Sequence, residues 1–246
     1  MTPHTDAPEG PSLRRLADAA EDRLGEHGLA LRDLGVLGPE DPAASHFAAA
    51  VERGFYETVP TGAALRQQLE AHAADGRRRL GVYAPGDDPA ARRPAATFED
   101  FVQPLTTWPG RTVDAWLITD VTVSPDARRR GVLRAMMLRS LADARDAGLC
   151  AAALTATEAA IYGRFGFGAA TRWHAVRIDV SGAPAFTGAP AGGRVTVEEP
   201  REIPGLVDEL YGRVLPATPG SVQRTAFSVP RWEDREASRN EGRGSG

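Results

Sequence analysis

The feature that most constrains this chain is a junction near its middle. Val121-Thr122-Val123-Ser124-Pro125 reads as the end of a strand, because a proline has no N–H to give to a ladder. Asp126-Ala127-Arg128-Arg129-Arg130-Gly131 follows, and a helical pattern then runs to about Ala147. Leu133, Met137, Leu141 and Ala144 share one face of that helix, which should pack on a sheet. Gly148 stops it, and Leu149–Leu154 is a short apolar run of the kind found in a buried parallel strand. Strand, loop, helix and parallel strand together demand an α/β fold.

The flanking segments extend this pattern. Residues 1–12 are rich in Pro, Thr and Gly and read as disordered. A short docking helix over 12–25 has Ser12 as its N-cap, with Leu13, Leu16, Ala20 and Leu24 on one face. Leu29–Leu34 is a first strand, Asp41–Phe55 and Thr61–Ala74 are helices, and Leu80–Tyr83 is a second strand. Gly86–Arg93 is loop. Ala95–Leu105 and Val113–Val123 are strands joined through Trp108-Pro109-Gly110, a turn signal. A second helix starts near Thr157, and Gly163, Gly166 and Gly168 interrupt the chain soon after. Trp173–Val180 is a further strand. Residues 181–193 have linker composition. Beyond them come a strand at Arg194–Val197, a helix over Ile203–Val214 and a polar tail over Arg235–Gly246. The expected organisation is an N-terminal extension over 1–28, a domain over 29–180, a linker over 181–193 and an incomplete second domain over 194–246.

The junction carries chemistry. A helix N-terminus presents unpaired backbone N–H groups and a partial positive charge. A glycine in the entry loop lets those groups converge on a phosphate. Arg128, Arg129, Arg130 and Arg134 add donors suited to a pyrophosphate or ribose phosphate, with Asp126 facing solvent beside them. A merely solvated charge run fits poorly, since cations there oppose the helix dipole unless an anion is bound. The strand edge at Val121–Val123 offers its backbone to an amide-containing arm.

Val123-Ser124-Pro125 followed by Arg128-Arg129-Arg130-Gly131 resembles the acetyl-CoA signature of the GNAT acetyltransferase superfamily. Its second hallmark is matched by Ile161-Tyr162-Gly163-Arg164-Phe165-Gly166-Phe167, a Tyr-containing helix and Gly-Phe turn. The runs at 128–134 and 156–168 resemble more narrowly the Eis branch (enhanced intracellular survival), bacterial proteins that acetylate amines including aminoglycosides and lysine side chains. The resemblance is close from about Leu29 to Val180 and thin from 194 onward. It implies a GNAT fold, a mixed and mostly antiparallel sheet flanked by helices, followed by a partial second GNAT-like domain.

The resemblance also implies roles. The backbone over Val121, Thr122 and Val123 would hold the pantetheine arm. Arg129, Arg130, Gly131, Val132, Leu133 and Arg134 would hold the pyrophosphate and nearby ribose. Thr157 and Glu158 also stand where the family contacts acetyl-CoA. Tyr162 would be the general acid. A phenol near ~10 suits protonation of a departing thiolate whose acid lies near ~8.5. Glu158 precedes Tyr162 by one helical turn and would share its face. Leu133 stands where the wider superfamily prefers Gly or Ala, as in the Eis-like branch. Family members continue into a second GNAT-like domain and a sterol-carrier-like domain, and their terminal carboxylate is the catalytic base. Ending at Gly246, this sequence names no replacement; Asp120, Glu158 and Asp100 are the carboxylates nearest in sequence. The expected activity is acetyl transfer to an aminoglycoside-, polyamine- or lysine-like amine. Its alternative is an acetyl-CoA-binding module without turnover. The family's members are hexamers.

Composition removes other classes. All 29 basic residues are arginine, which excludes a lysine Schiff base and a P-loop. The net charge of −4 does not recruit nucleic acid. No apolar run is long enough for a bilayer, and the polar N-terminus is unlike a secretory signal. The single cysteine, Cys150, allows no internal disulfide and fits a cytoplasmic setting. It reads as an inert core residue on an apolar strand. The five histidines are scattered, none at ligand spacing to another His or to Cys, so no metal is expected. Trp108, Trp116, Phe98 and Phe101 read as core, and His174 as structural.

Overall fold

The computed structural model describes residues 12–156, 158–171, 177, 192, 196–199 and 202–226. Helix α1 (Leu13–Glu26) is capped by the Ser12 hydroxyl, which accepts from the Arg15 N–H. Strand β1 (Ala30–Val36) follows, then α2 (Pro42–Phe55), capped by the Asp41 carboxylate on the Ala43 N–H. Helix α3 (Gly62–Ala74) has Thr61 at its cap position, but that side chain makes no capping bond. Strand β2 (Arg78–Tyr83) starts two residues earlier than expected. The long hairpin of β3 (Ala96–Trp108) and β4 (Arg111–Val123) closes at Pro109-Gly110, where Gly110 takes φ +73°. Helix α4 (Val132–Asp146) and β5 (Ala151–Leu154) complete the expected order.

The five strands form one sheet in the order β1-β2-β3-β4-β5. The first three pairings are antiparallel, and β4–β5 is parallel. Successive strand residues face opposite sides. Leu80, Phe98, Trp116 and Ile118 therefore join α1 and α4 through Leu24, Met136 and Met137 in one core. Arg79, next to Leu80, points the other way and lies over the Phe47 ring of α2. On that side Leu37, Ala44, Ala48 and Leu69 join α2 to α3.

Helix α4 is wrapped more fully than one stripe predicts. Val132, Ala135, Met136, Leu138, Ser140 and Ala142 are buried as well, while Leu133 and Leu141 are only partly buried. The reason is that α4 meets both the sheet and α1. The Trp116 indole donates to Ser140 (2.8 Å), whose hydroxyl donates to the buried Asp100 (2.7 Å).

Several expectations are corrected. Cys150 precedes β5 and is exposed, and β5 itself is only partly buried. Trp108 sits exposed at the hairpin tip, whereas Phe98, Phe101 and Trp116 are core. In place of a second helix near 157 stand two 3-10 turns, Ala159–Ile161 and Gly163–Phe165. Helix α5 (Ile203–Val214) has the expected bounds and buries no residue completely. The segment after it fastens to the β3–β4 hairpin: the Thr106 N–H donates to Ser221, and its hydroxyl to Leu215. Residues 196 and 197 form no strand. Residues 1–11, Thr157, Trp173, His174, most of the expected strand to Val180, the linker apart from Gly192, Arg194 and the tail lie outside the described residues.

Candidate functional site

The end of β4 opens into a cleft of about 670 Å³, within the ~300–1,000 Å³ usual for small-molecule sites. Val121, Thr122 and Val123 form its strand wall. Helix α4 and its entry loop supply Arg128, Arg129, Gly131, Val132, Leu133 and Arg134. The 3-10 turns supply Glu158, Ile161, Tyr162, Arg164 and Phe165. The C-terminal end of α2 closes the remaining side with Gly54, Phe55 and Tyr56.

The loop geometry follows from its residues. Ser124 donates to Asp126 (2.6 Å), fixing the turn after β4. Arg128 donates through Nε to the Val123 carbonyl (3.2 Å). Arg129 takes φ 62°, and Gly131, the N-cap of α4, takes φ 79°. No side chain caps α4, and its first turn holds no acidic residue. The N–H groups of Val132, Leu133 and Arg134 have no partner within the helix by geometry, and these three residues line the cleft. Arg130 stands outside the lining, where its charge helps hold the exposed Asp126 carboxyl low, after the Ser124 and backbone hydrogen bonds.

Tyr162 sits between the two 3-10 turns. Its carbonyl accepts from the Phe165 N–H (3.0 Å) and the Phe167 N–H (3.4 Å), and its ring meets Phe167 edge-on at 6.2 Å. Burial, and then the charge of Glu158, raises the phenol above its ordinary value. The two residues therefore lie close without the α-helical face that the spacing implied. Gly166, at φ 92°, ends the second 3-10 turn in the left-handed region, where a helix cannot continue.

Sequence reasoning missed the α2 wall. Its one local signal is Gly54, a glycine inside a helical pattern. A Cβ there would lie 2.4 Å from the Thr122 Cβ, so only glycine lets α2 approach β4 this closely. Arg164, Ile161 and Phe165 were in the quoted motif without a role. Arg164 donates through Nε to the Ile161 carbonyl (3.0 Å).

A second feature lies beneath the strand wall. Between Thr97/Glu99 of β3 and Thr122/Thr119 of β4 the register shifts, and Asp120 takes φ 51°. The bulge brings Asp120 to Glu99 and His72, whose ligand-type atoms lie within 4.8 Å of one another. No sequence spacing shows this grouping. Arg79 bonds Glu99 (2.8 Å), and Arg77 stands 3.3 Å from Glu99 and 3.6 Å from Asp120. Two guanidiniums thus lie against these carboxylates. Burial would raise Glu99, but the His72 hydrogen bond and charge, with Arg79 and Arg77, drive it well below the carboxylate range. Asp120 goes the other way: burial, then the charge and hydrogen bond of Glu99, push it up to about 8.

Among the described residues, no helix is long and apolar enough to cross a membrane. Residues 43–170 match the Acetyltransferase (GNAT) domain family. A protein of Streptomyces avermitilis named Uncharacterized N-acetyltransferase is 39% identical over 150 residues, 60% of this chain and 34% of that protein. N-acetyltransferase Eis of Mycobacterium tuberculosis is 40% identical over 108 residues, 42% of this chain and 27% of its own. The crystal structure of Eis1 from Mycobacterium abscessus superposes with a TM-score of 0.53 and 26% identity, over 87% of this chain and 48% of that one. The chain spans about a third of the length of the curated relatives it matches.

Proposed function

Because the chain belongs to the GNAT acetyltransferases, we propose that it binds acetyl-CoA in the cleft beside β4 and transfers the acetyl group to a primary amine. One observation carries this reading. The uncapped N-terminus of α4, flanked by Arg129 and Arg134, opens into the same cleft as Tyr162. Such a terminus is stabilised by an anion, and the first turn supplies none of its own.

The bound thioester supplies an activated acyl group. The backbone over Val121, Thr122 and Val123 receives the amide arm. Gly131, Val132, Leu133 and Arg134, with Arg129, hold the pyrophosphate; Arg130, outside the lining, reaches outer phosphate or ribose oxygens. Glu158 and, by its place in the motif, Thr157 contact the same ligand. Tyr162, kept protonated by its half-buried setting, gives its proton to the departing thiolate. The acceptor is an aminoglycoside-, polyamine- or lysine-like amine, the class that the resemblance of the 128–134 and 156–168 runs to the Eis branch implies.

Thermal unfolding with and without acetyl-CoA tests the reading. A ligand at 100 times its Kd adds about 2.7 kcal/mol to the native state, a rise of ~5–11 °C for a domain of this size. Arg129→Ala should weaken that rise. A cooperative transition with no rise at saturating acetyl-CoA would refute the site.

A further inference from the structure

We propose that Arg164 binds the 3′-phosphate of acetyl-CoA, so that the cleft selects a 3′-phosphorylated thioester carrier over its 3′-dephospho form. The inference rests on the reading of the cleft as an acetyl-CoA site, and concerns a residue to which that reading gives no role. The charges of the lining point to a further phosphate. It holds four guanidiniums, those of Arg128, Arg129, Arg134 and Arg164, and one carboxylate, that of Glu158. The N-terminus of α4 adds its own partial positive charge. A pyrophosphate bridge carries about two negative charges, fewer than this lining balances, and a phosphate monoester brings ~1.5–2 more at neutral pH.

Placement separates Arg164 from the other three. Arg129 and Arg134 flank the N-terminus of α4, and Arg128 uses its Nε on the Val123 carbonyl at the end of β4 (3.2 Å). Arg164 stands on the other wall of the cleft, in the second 3-10 turn, two residues past Tyr162. At three residues per 3-10 turn, side chains two positions apart leave the backbone about 120° apart. Tyr162 is half-buried and Arg164 exposed, so the phenol lies inside the cleft and the guanidinium at its mouth. A ligand held by its pyrophosphate at α4 sends its acyl arm inward along β4. Its adenosine 3′-phosphate then lies outward, at that mouth.

The turn itself aims the guanidinium. Its Nε donates to the Ile161 carbonyl (3.0 Å). The Phe165 N–H donates to Tyr162 (3.0 Å) and the Gly166 N–H to Gly163 (3.1 Å), closing the backbone around it. Arg78, Arg79 and Arg139 are engaged by carboxylates, whereas among the described residues Arg164 forms no ion pair. Nη1 and Nη2 therefore remain as an end-on pair of donors, the fork that grips two oxygens of one phosphate.

The test is calorimetric titration of CoA and 3′-dephospho-CoA, which differ by that phosphate alone, into wild type, Arg164→Gln and Arg164→Lys. The glutamine amide nitrogen takes the place of the arginine Nε. Arg164→Gln therefore keeps a donor for Ile161 and removes the charge and the fork. Wild type should bind CoA ~10–100-fold more tightly than 3′-dephospho-CoA, the range of a charge-assisted hydrogen-bonded pair. Arg164→Gln should bring CoA to the affinity of the dephospho form and leave the latter within about threefold of wild type. Arg164→Lys, with the charge but no fork, should keep part of the preference. A wild-type preference under about threefold, or one unchanged in Arg164→Gln, overturns the assignment. An equal loss for both ligands overturns it as well, since Arg164 then serves the pyrophosphate or the turn. If Arg164→Gln does not fold, Arg164→Lys decides, and an unchanged preference there overturns the assignment. A wild-type chain that binds neither ligand overturns the reading of the cleft, and the role of Arg164 falls with it.

Discussion

Substituting Gly54 by alanine sets two effects against each other. In a helix interior, alanine is favoured over glycine by about 1 kcal/mol, so propensity alone predicts stabilisation. The tertiary contact predicts the opposite. The new Cβ would meet Thr122 Cβ at 2.4 Å, Cγ2 at 2.5 Å and Oγ1 at 2.7 Å. Ordinary carbon contacts lie at ~3.5–4.0 Å, so α2 must retreat from β4 by about 1 Å. Thr122 is a buried strand residue whose hydroxyl is tied to Thr97, and it offers no flexible tip that can swing away. Overpacking of this kind costs ~1–3 kcal/mol, at the upper end for so close an approach. The benefit of alanine shrinks at the penultimate position of the helix. The net expectation is a loss of ~1–2 kcal/mol, read as a fall in Tm of ~2–8 °C. Phe55 and Tyr56 move with the helix end, so acetyl-CoA should raise the mutant's Tm less than the wild type's. Thr122→Ala removes two of the three clashing atoms, so the double mutant should be more stable than the sum of single losses by over ~0.5 kcal/mol. A Gly54→Ala protein as stable as wild type, additive with Thr122→Ala, would refute the account.

Tyr162→Phe should lower kcat while leaving the acetyl-CoA-induced thermal shift intact; equal turnover would remove Tyr162 from the chemistry. The raised Asp120 carboxyl has a consequence for stability. The native state keeps a proton that the unfolded chain releases near its ordinary ~3.9, so Asp120 costs stability progressively as pH rises from there toward about 8. Asp120→Asn is neutral at every pH. Its Tm should match wild type near pH 4 and exceed it near pH 8, and a constant difference in melting scans would contradict this. Asp100→Ala should cost ~3–5 kcal/mol in denaturant unfolding. It strips Arg78 of two 2.8 Å bonds and leaves the buried Ser140 hydroxyl without its acceptor. A loss under ~1 kcal/mol would show the network to be dispensable.

What the sequence by itself determined is what neighbours in the chain decide. Ser12 and Asp41 cap their helices because a short polar side chain reaches N–H groups two or three residues on. Pro109-Gly110 turns the hairpin because proline presets φ and glycine accepts a positive one. The Arg/Gly loop meets a helix start, and Val121, Gly131 and Tyr162 share a cleft, because a strand–loop–helix junction needs little beyond its own residues to form. Periodicity failed where its local premise failed. A helix is expected after Thr157, but the chain takes two 3-10 turns there, and Gly166 at φ 92° ends the second. The tertiary structure alone decided the rest. Cys150 is apolar by context yet exposed, since burial depends on what packs against a strand. The α2 wall exists because Gly54 lets a helix some seventy residues away lie against Thr122. The bulge that joins Asp120 to Glu99, His72 and Arg77 is set by the registry between strands and by the helix beneath them. Ionisation there follows from burial and from charges distant in the chain, and no local pattern carries either.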